Sequence, residues 1–409
     1  MNFKSIILPS IIFIALLFRL YFLVYETDIH SINYYEYGAI AENIHNGNGY
    51  SLFYYNNDKL EIGSSENIAP YKSAFMPPGY TFIVYLFYFL NDLEIRNYLF
   101  LIFQILLSLL VVLVIYLLTK EIFNLTSALV ATAITAILPE FIYTSCLPGT
   151  TIFFHLGTVI ILLLLYRLKY HVNSRIYLIQ IGITFGILIL FRSEVILLLL
   201  LVLIYFWTQR QFKQIIIIAL TSFIIIIPWG IRNILVFDEF IPLTTSAGLN
   251  FYRGHNPYGI GVWADEEIVE ELIQFKTNPK YEVQMNEYYL KKGIENIIKD
   301  PYQELKYVFI KLFHLWIFNP QDERTFSVFY LVPWFVILVM FILFLNNSID
   351  RLSHKYLYLF LLYFHIVVIL FFCLPRYQTM MKIMIIPFAS EGFRILLNRI
   401  TRKNRTLIE

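Results

Sequence analysis

Apolar runs near twenty residues long recur along this chain, each bounded by charge or by glycine and proline. The first is Ile6–Tyr25. An α-helix rises about 1.5 Å per residue, so about twenty residues cross a hydrocarbon core of about 30 Å. Further runs fall at Arg96–Thr119, Ser127–Ser145, Thr151–Leu168, Ile176–Phe191, Val195–Trp207, Gln214–Trp229, Val328–Leu345, Lys355–Leu374 and Tyr377–Leu396. The pattern predicts an all-α polytopic membrane protein with about ten spans. The junction near Ser193 joins two short runs, so the limits there are soft. Three regions follow: an N-terminal transmembrane module over 1–229, a polar helical segment over 230–327, and a C-terminal transmembrane module over 328–409.

Two long polar stretches interrupt the runs. The first, 26–80, gathers seven carboxylates: Glu26, Asp28, Glu36, Glu42, Asp58, Glu61 and Glu66. A mere connector rarely needs more than about 15 residues, so this loop is the place to look for chemistry. At its end, 76–90 is too short to span and is expected to lie in the membrane interface. The second stretch holds three helical patterns. One opens at Asp265, with Glu266 and Glu267 at the positive end of its dipole. Another opens at Asn278-Pro279, a cap followed by a first-turn proline. The third, 301–318, puts Leu305, Val308, Phe309, Leu312, Leu315 and Trp316 on one face and Lys311 and His314 opposite, as in an interfacial helix.

Composition agrees with the pattern. Hydrophobic residues make up 58% and charged residues 15%, against about 25% charged in soluble domains. A net charge of +2 gives no reason to expect a nucleic-acid partner. Cys146 and Cys373 stand at run ends and read as small buried hydrophobes. Motifs for dinucleotides, phosphate loops, zinc proteases or serine hydrolases are missing. The eight histidines are scattered, and His255, before Asn256-Pro257, reads as a turn residue. No cofactor or metal site is expected from this pattern, and dependence on a divalent ion stays open. Arg19, inside the first run, either snorkels to the headgroups or faces a polar cavity.

The short loops set orientation. Alternating the runs gathers Lys120, Arg167, Lys169, Arg175, Arg210, Lys213, Arg351, Lys355, Arg399, Arg402, Lys403 and Arg405 on one side. Only Arg192 and Arg376 stand in the short loops of the other. By the positive-inside rule, both termini are cytoplasmic, the first run is an uncleaved signal anchor of a cell-membrane protein, and both polar stretches lie outside. No internal repeat is evident, which weighs against transporters built from inverted halves.

Several short pieces, in one order, resemble a family. Tyr37, Ala41, Gly47, Gly49 and Tyr50 follow a Y-x-x-x-A…G-x-G-Y pattern. Pro77-Pro78-Gly79-Tyr80, Phe191-Arg192-Ser193-Glu194, Pro228-Trp229, Arg232-Asn233, Asn256-Pro257, Arg376-Tyr377 and Pro387-Phe388 come after it. This order resembles bacterial membrane glycosyltransferases related to protein O-mannosyltransferases and lipid A aminoarabinose transferases. The resemblance implies a GT-C fold and a sugar donor linked to polyprenyl phosphate. It also implies transfer on the outer face to a glycan, lipid or protein acceptor. Its substrate-binding candidates are Arg376, Tyr377, Arg192 and Asn256, with Lys72 of the first loop beside them. At the family's first-loop aspartate, four residues before Tyr37, this chain has Asn33. An amide is no base, so Asp28 and Glu36 are the nearby catalytic candidates. Two other readings stay open, a non-catalytic binder of the lipid-linked sugar and a flippase for it. A flippase calls for ionisable groups near mid-membrane, and the runs between Ser127 and Trp229 carry almost none away from their ends.

Overall fold

The computed structural model describes residues 3–56, 59–65, 68–170, 174–257, 280–320, 323–347 and 354–406. The expected helix opening at Asp265 and the cap at Asn278 lie outside the described residues. In chain order the helices are α1 (Phe3–Tyr25), α2 (Tyr35–His45), α3 (Pro78–Phe87), α4 (Leu93–Ile122), α5 (Leu125–Ile137), α6 (Pro139–Ser145), α7 (Thr151–Tyr170) and α8 (Arg175–Phe191). They continue as α9 (Val195–Thr208), α10 (Phe212–Phe237), α11 (Ala247–Gly254), α12 (Tyr281–Lys299), α13 (Pro301–Trp316), α14 (Val328–Asn347), α15 (Lys355–Leu370) and α16 (Pro375–Thr406). One antiparallel hairpin, β1 (Phe53–Asn56) with β2 (Lys59–Ile62), pairs Phe53 with Ile62 and Asn56 with Lys59. The chain is a multi-pass helical membrane protein. Among the described residues, five helices are long and apolar enough to cross a membrane, or six if α5 and α6, bent by 58°, form one span.

The lipid-facing and packed sides of a helix follow its 3.6-residue period. On α1, Phe13, Leu17, Tyr21 and Val24 are exposed, while Ala15, Arg19 and Leu23 are buried. α16 packs against α14, α5 and α7, and α8 against α10 and α7. This assembly buries the largest core, which includes Phe154, Phe185, Trp334, Phe364 and Met384.

Arg19 does not snorkel. Its side chain is fully buried, with Nε on Ser108 Oγ at 2.8 Å and Nη1 on the carbonyls of Ala15 and Ala136, both at 3.0 Å. The cause is the α5–α6 bend. Pro139 has no N–H to continue the ladder, and a residue before proline avoids helical dihedrals, so α5 stops at Ile137 with carbonyls unpaired. The guanidinium takes one of them.

α13 also differs from expectation, because its polar face is the packed one. Glu304, Lys311 and His314 are buried, while Leu305, Phe309 and Phe313 point outward. That inversion suits a helix with lipid on one side and polar backbone on the other. α10 continues past Trp229 to Phe237.

The first polar stretch is held by backbone chemistry that its sequence encodes. Gly47 ends α2 at φ 83°, with its N–H on Ile44 and the N–H of Asn48 on Asn43. These are the two bonds of a Schellman cap, which glycine makes at no steric cost. Gly79 lets α3 close on α8: a Cβ there would stand 2.6 Å from the Phe191 ring and 2.8 Å from the Leu190 carbonyl.

Candidate functional site

α2, the α8–α9 turn, α7 and the start of α16 meet around Arg192. The turn follows from Arg192 at the C-cap of α8, with α9 restarting at Val195. Arg192 is buried. Its Nε reaches Glu194 Oε1 at 2.6 Å, and its Nη2 is drawn to the same oxygen. Nη1 lies 3.5 Å from Thr150 Oγ1. The rings of Phe154 and Tyr377 flank the guanidinium at 5.5 and 5.4 Å. Arg192 is therefore already neutralised within the protein. Nearby, the Nε2 of His155 and the Oγ of Ser193 are buried without hydrogen-bond partners.

Arg376 differs. It stands exposed in the first turn of α16, just after Pro375, and none of the described residues closes an ion pair with it. The N-terminus of a long helix adds positive potential there. Tyr37 links the two arginines to the first loop. It packs edge-on to Tyr80 with centroids 4.8 Å apart. Burial pushes its hydroxyl well up, and Arg192 and Arg376 partly oppose that shift while Glu194 and Glu36 add to it. Glu36, half-buried, sits one residue before Tyr37 in the first turn of α2.

The other sequence candidates are placed elsewhere. Asp28 is exposed and caps a 3-10 turn, accepting from the His30 N–H at 3.0 Å. Asn33 turns its Oδ1 onto the Tyr35 N–H at 2.6 Å. Lys72 Nζ is spent on the Asn48 carbonyl at 2.7 Å. Asn256 is buried and donates to the Arg253 carbonyl at 2.8 Å. Tyr377 is buried against Arg192. The structure thus brings Glu36, Arg192, Arg376 and Tyr377 towards one centre and leaves Asp28, Lys72 and Asn256 on their own backbone tasks.

Two buried polar devices hold the centre in place, and sequence reading missed both. Below it, Lys382 Nζ meets Glu140 at 2.7 and 2.9 Å, and Thr379 Oγ1 meets the same carboxylate at 3.1 Å. This ties α6 to α16 seven residues beyond Pro375. Lys382 is a lone cation inside an apolar run, which was the available signal. Above it, His255 Nε2 lies 3.1 Å from the Leu370 carbonyl, Lys311 Nζ 3.1 Å from that of Ile369 and Asn319 Nδ2 3.3 Å from that of Cys373. Those carbonyls are orphans of the last turn of α15 and the hairpin after it. His255 is braced in turn by Glu304 at 2.7 Å. Burial pushes the Lys311 ammonium down to about 8, against the pull of Glu304 and Cys373. The turn histidine thus anchors the second polar stretch onto the hairpin that carries Arg376.

The Pro-Trp…Arg-Asn piece has a similar task. Trp229 Nε1 bonds the Leu243 carbonyl at 2.6 Å, and Arg232 bonds the carbonyls of Ser73 and Tyr50 at 2.6 and 3.0 Å. Glu282 of α12 completes the clamp, accepting from the Ala74 N–H at 2.9 Å and Thr245 Oγ1 at 2.8 Å. Its burial raises its pKa above the usual 4.5, while those hydrogen bonds and Arg232 resist the rise. The folded chain therefore holds this proton more tightly than the unfolded chain. Its contribution to stability is greatest below the unfolded pKa and declines as pH climbs through the raised folded value. Glu282→Gln keeps an acceptor oxygen without the charge. It should hold or raise the melting temperature at neutral pH and flatten that decline. A fall of several degrees at pH 7 would mean that the carboxylate is needed charged.

Residues 76–231 match the family model described as dolichyl-phosphate-mannose-protein mannosyltransferase, less than half of the 409 residues. No curated protein matches the chain. Solved structures do. The oligosaccharyltransferase of Archaeoglobus fulgidus, tethered to an acceptor peptide, aligns at TM-score 0.55 and 14% identity over 96% of this chain and 50% of that one. The same organism's oligosaccharyltransferase AglB, with an inhibitory peptide and a dolichol-phosphate, aligns at TM-score 0.56 and 14% identity over 99% of this chain and 52% of that one. A looser likeness, at TM-score 0.42 and 12% identity over 95% of this chain and 77% of that one, is to ArnT from Cupriavidus metallidurans bound to undecaprenyl phosphate. The chain spans about half the length of the oligosaccharyltransferases it matches.

Proposed function

We propose that this chain, which has the GT-C fold of membrane glycosyltransferases, transfers a sugar from a polyprenyl-phosphate donor to an acceptor on the outer face of the membrane. The observation that carries the reading is Arg376, an exposed guanidinium without an ion-pair partner among the described residues, beside a centre where the other arginine is already neutralised. The similarly folded AglB, solved with a dolichol-phosphate, agrees in ligand class.

In this reading, two N–H groups of Arg376 match two oxygens of the donor phosphate. Glu36 takes the proton of the acceptor hydroxyl. The acceptor oxygen then attacks the anomeric carbon, and the bond from that carbon to the phosphate oxygen breaks. Polyprenyl phosphate leaves with the bonding pair, and Arg376 stabilises the charge that gathers on it. Tyr37, half-buried and packed edge-on to Tyr80, holds its end of α2 in the field of both arginines. The lysine and arginine asymmetry supports an outward-facing centre and cytoplasmic termini.

Asn33 in place of an acid favours one second reading, in which the lipid-linked sugar is bound and not transferred. Full-length protein in lipid nanodiscs, given a mannosyl polyprenyl phosphate and membrane extract as acceptor, separates the two. We expect release of polyprenyl phosphate together with a labelled acceptor. Saturable donor binding with no release would leave a binder, and no binding at all would overturn both.

A further inference from the structure

The side of α2 turned away from Tyr37 lines a second feature. Residues 35, 39, 42 and 43 lie on the helix face turned away from 37 and 41. With Asn33, Ile62–Ser64, Tyr88 and the start of α4 they enclose an open cavity of about 370 Å³. That size is within the range of about 300–1,000 Å³ for small-molecule sites. The Arg192–Arg376 centre lies beyond α2, and a helix with its side chains is about 10–12 Å thick.

The lining has unused hydrogen-bonding capacity of both signs. Asn43, on the floor, is 1% exposed. Its Nδ2 is spent on the carbonyls of Ser51 and Gly63 at 2.9 and 3.1 Å, and its Oδ1 has no partner. Across the cavity Arg96 lies on the face of the Tyr88 ring, 4.2 Å from its centroid, with its buried Nε unpaired and no ion pair to any described residue. Glu42 stands exposed on the rim without closing on Arg96. At the mouth Tyr35 is held at φ 52°, an unfavourable value for an aromatic residue, by the bond from its N–H to Asn33 Oδ1. Its ring stays 67% exposed there.

This chemistry selects among ligands. Ile32, Ile62 and Leu93 offer an acyl chain only part of the lining, and it would leave Arg96 and Glu42 unsatisfied. A phosphate would be attracted by Arg96 and repelled by Glu42. A carbohydrate uses the groups at the opening: its hydroxyls donate to Glu42 and accept from Arg96, and its C–H face packs on the exposed Tyr35 ring. We propose that the cleft between α2, the end of β2 and the start of α4 is a carbohydrate subsite that seats a sugar residue of the acceptor, one helix width from the transfer centre.

The assignment to the acceptor rests on the transferase reading, whereas sugar binding by the cleft does not. Two measurements separate them. The first is saturation-transfer NMR of the full-length protein in detergent with glucose, mannose, galactose, N-acetylglucosamine and their common disaccharides. At least one should bind, and Glu42→Ala and Arg96→Met should each weaken it about tenfold, the worth of one hydrogen bond to a charged group. Arg376→Ala should leave it unchanged. Glu42 is exposed, so its variant keeps the test alive if Arg96→Met folds poorly. No binding by any sugar, or wild-type affinity in both cleft variants, overturns the subsite even where transfer persists. The second is transfer kinetics. Glu42→Ala should raise KM for the acceptor about tenfold with the donor KM unchanged. The reverse pattern would overturn the acceptor assignment and give the cleft to the donor's sugar.

Discussion

Glu36→Gln should lower transfer by about two to four orders of magnitude, the usual worth of a positioned general base. Glutamine keeps the shape and the first-turn position on α2 but cannot accept the proton. The loss should fall on kcat, with donor binding intact, because the interaction matters as charge develops. Asp28→Asn is the control. Its carboxylate caps a 3-10 turn in the open, and asparagine caps about as well, so the change should cost little stability and little transfer. Asn33→Asp tests the departure from the family pattern. Asn33 Oδ1 already accepts from Tyr35, and a carboxylate can do the same, so the variant should fold and can raise activity. Undiminished kcat in Glu36→Gln would send the search for the base to Glu194 and Asp28.

Arg376→Ala should weaken use of the donor on the order of a hundred- to a thousandfold, as for loss of one group that stabilises transition-state charge. Arg376→Lys should lose part of that, because an ammonium keeps the charge and gives up the two-pronged match to phosphate. Both variants should melt like the wild type. Arg376 is exposed and closes no ion pair with a described residue, and such surface changes usually cost within about 0.5 kcal/mol. The assay is binding of the polyprenyl-phosphate donor, and then transfer, by purified full-length protein. Normal donor affinity in a well-folded Arg376→Ala would reduce Arg376 to an interface anchor. Arg192 would not be a clean substitute, because Glu194 already occupies its guanidinium.

The two cations standing alone in the short loops show how far each level of description reaches. By sequence they were equivalent, two arginines in short apolar hairpins. In the structure one has a carboxylate two residues along that folds back on it, and the other has none. The Arg-x-Glu spacing was visible, but whether a side chain turns back depends on the dihedrals of the α8–α9 turn and on Phe154 and Tyr377, which come from α7 and α16. Lys382 and Glu140 are a similar case. Each could be read as a polar residue in an apolar run, and their pairing across 242 positions could not.

The sequence by itself determined the membrane class and the general place of the apolar helices, because span length and hydrophobic run length are one quantity in different units, while among the described residues five or six helices are long and apolar enough to cross. The Gly47 cap and the stop at Pro139 are also local, but the apolar run continues across Pro139, so the break was seen only in the structure. Tertiary structure alone decided which polar groups face one another. It buried Arg19 where a snorkelling anchor was possible and turned the polar side of α13 inward onto the carbonyls of α15. It set Asn33 at a cleft and left Arg376 without an ion pair among the described residues. The physical reason is that buried donors and acceptors must be satisfied by whatever backbone or side chain arrives beside them. In this chain those partners arrive from helices distant in sequence.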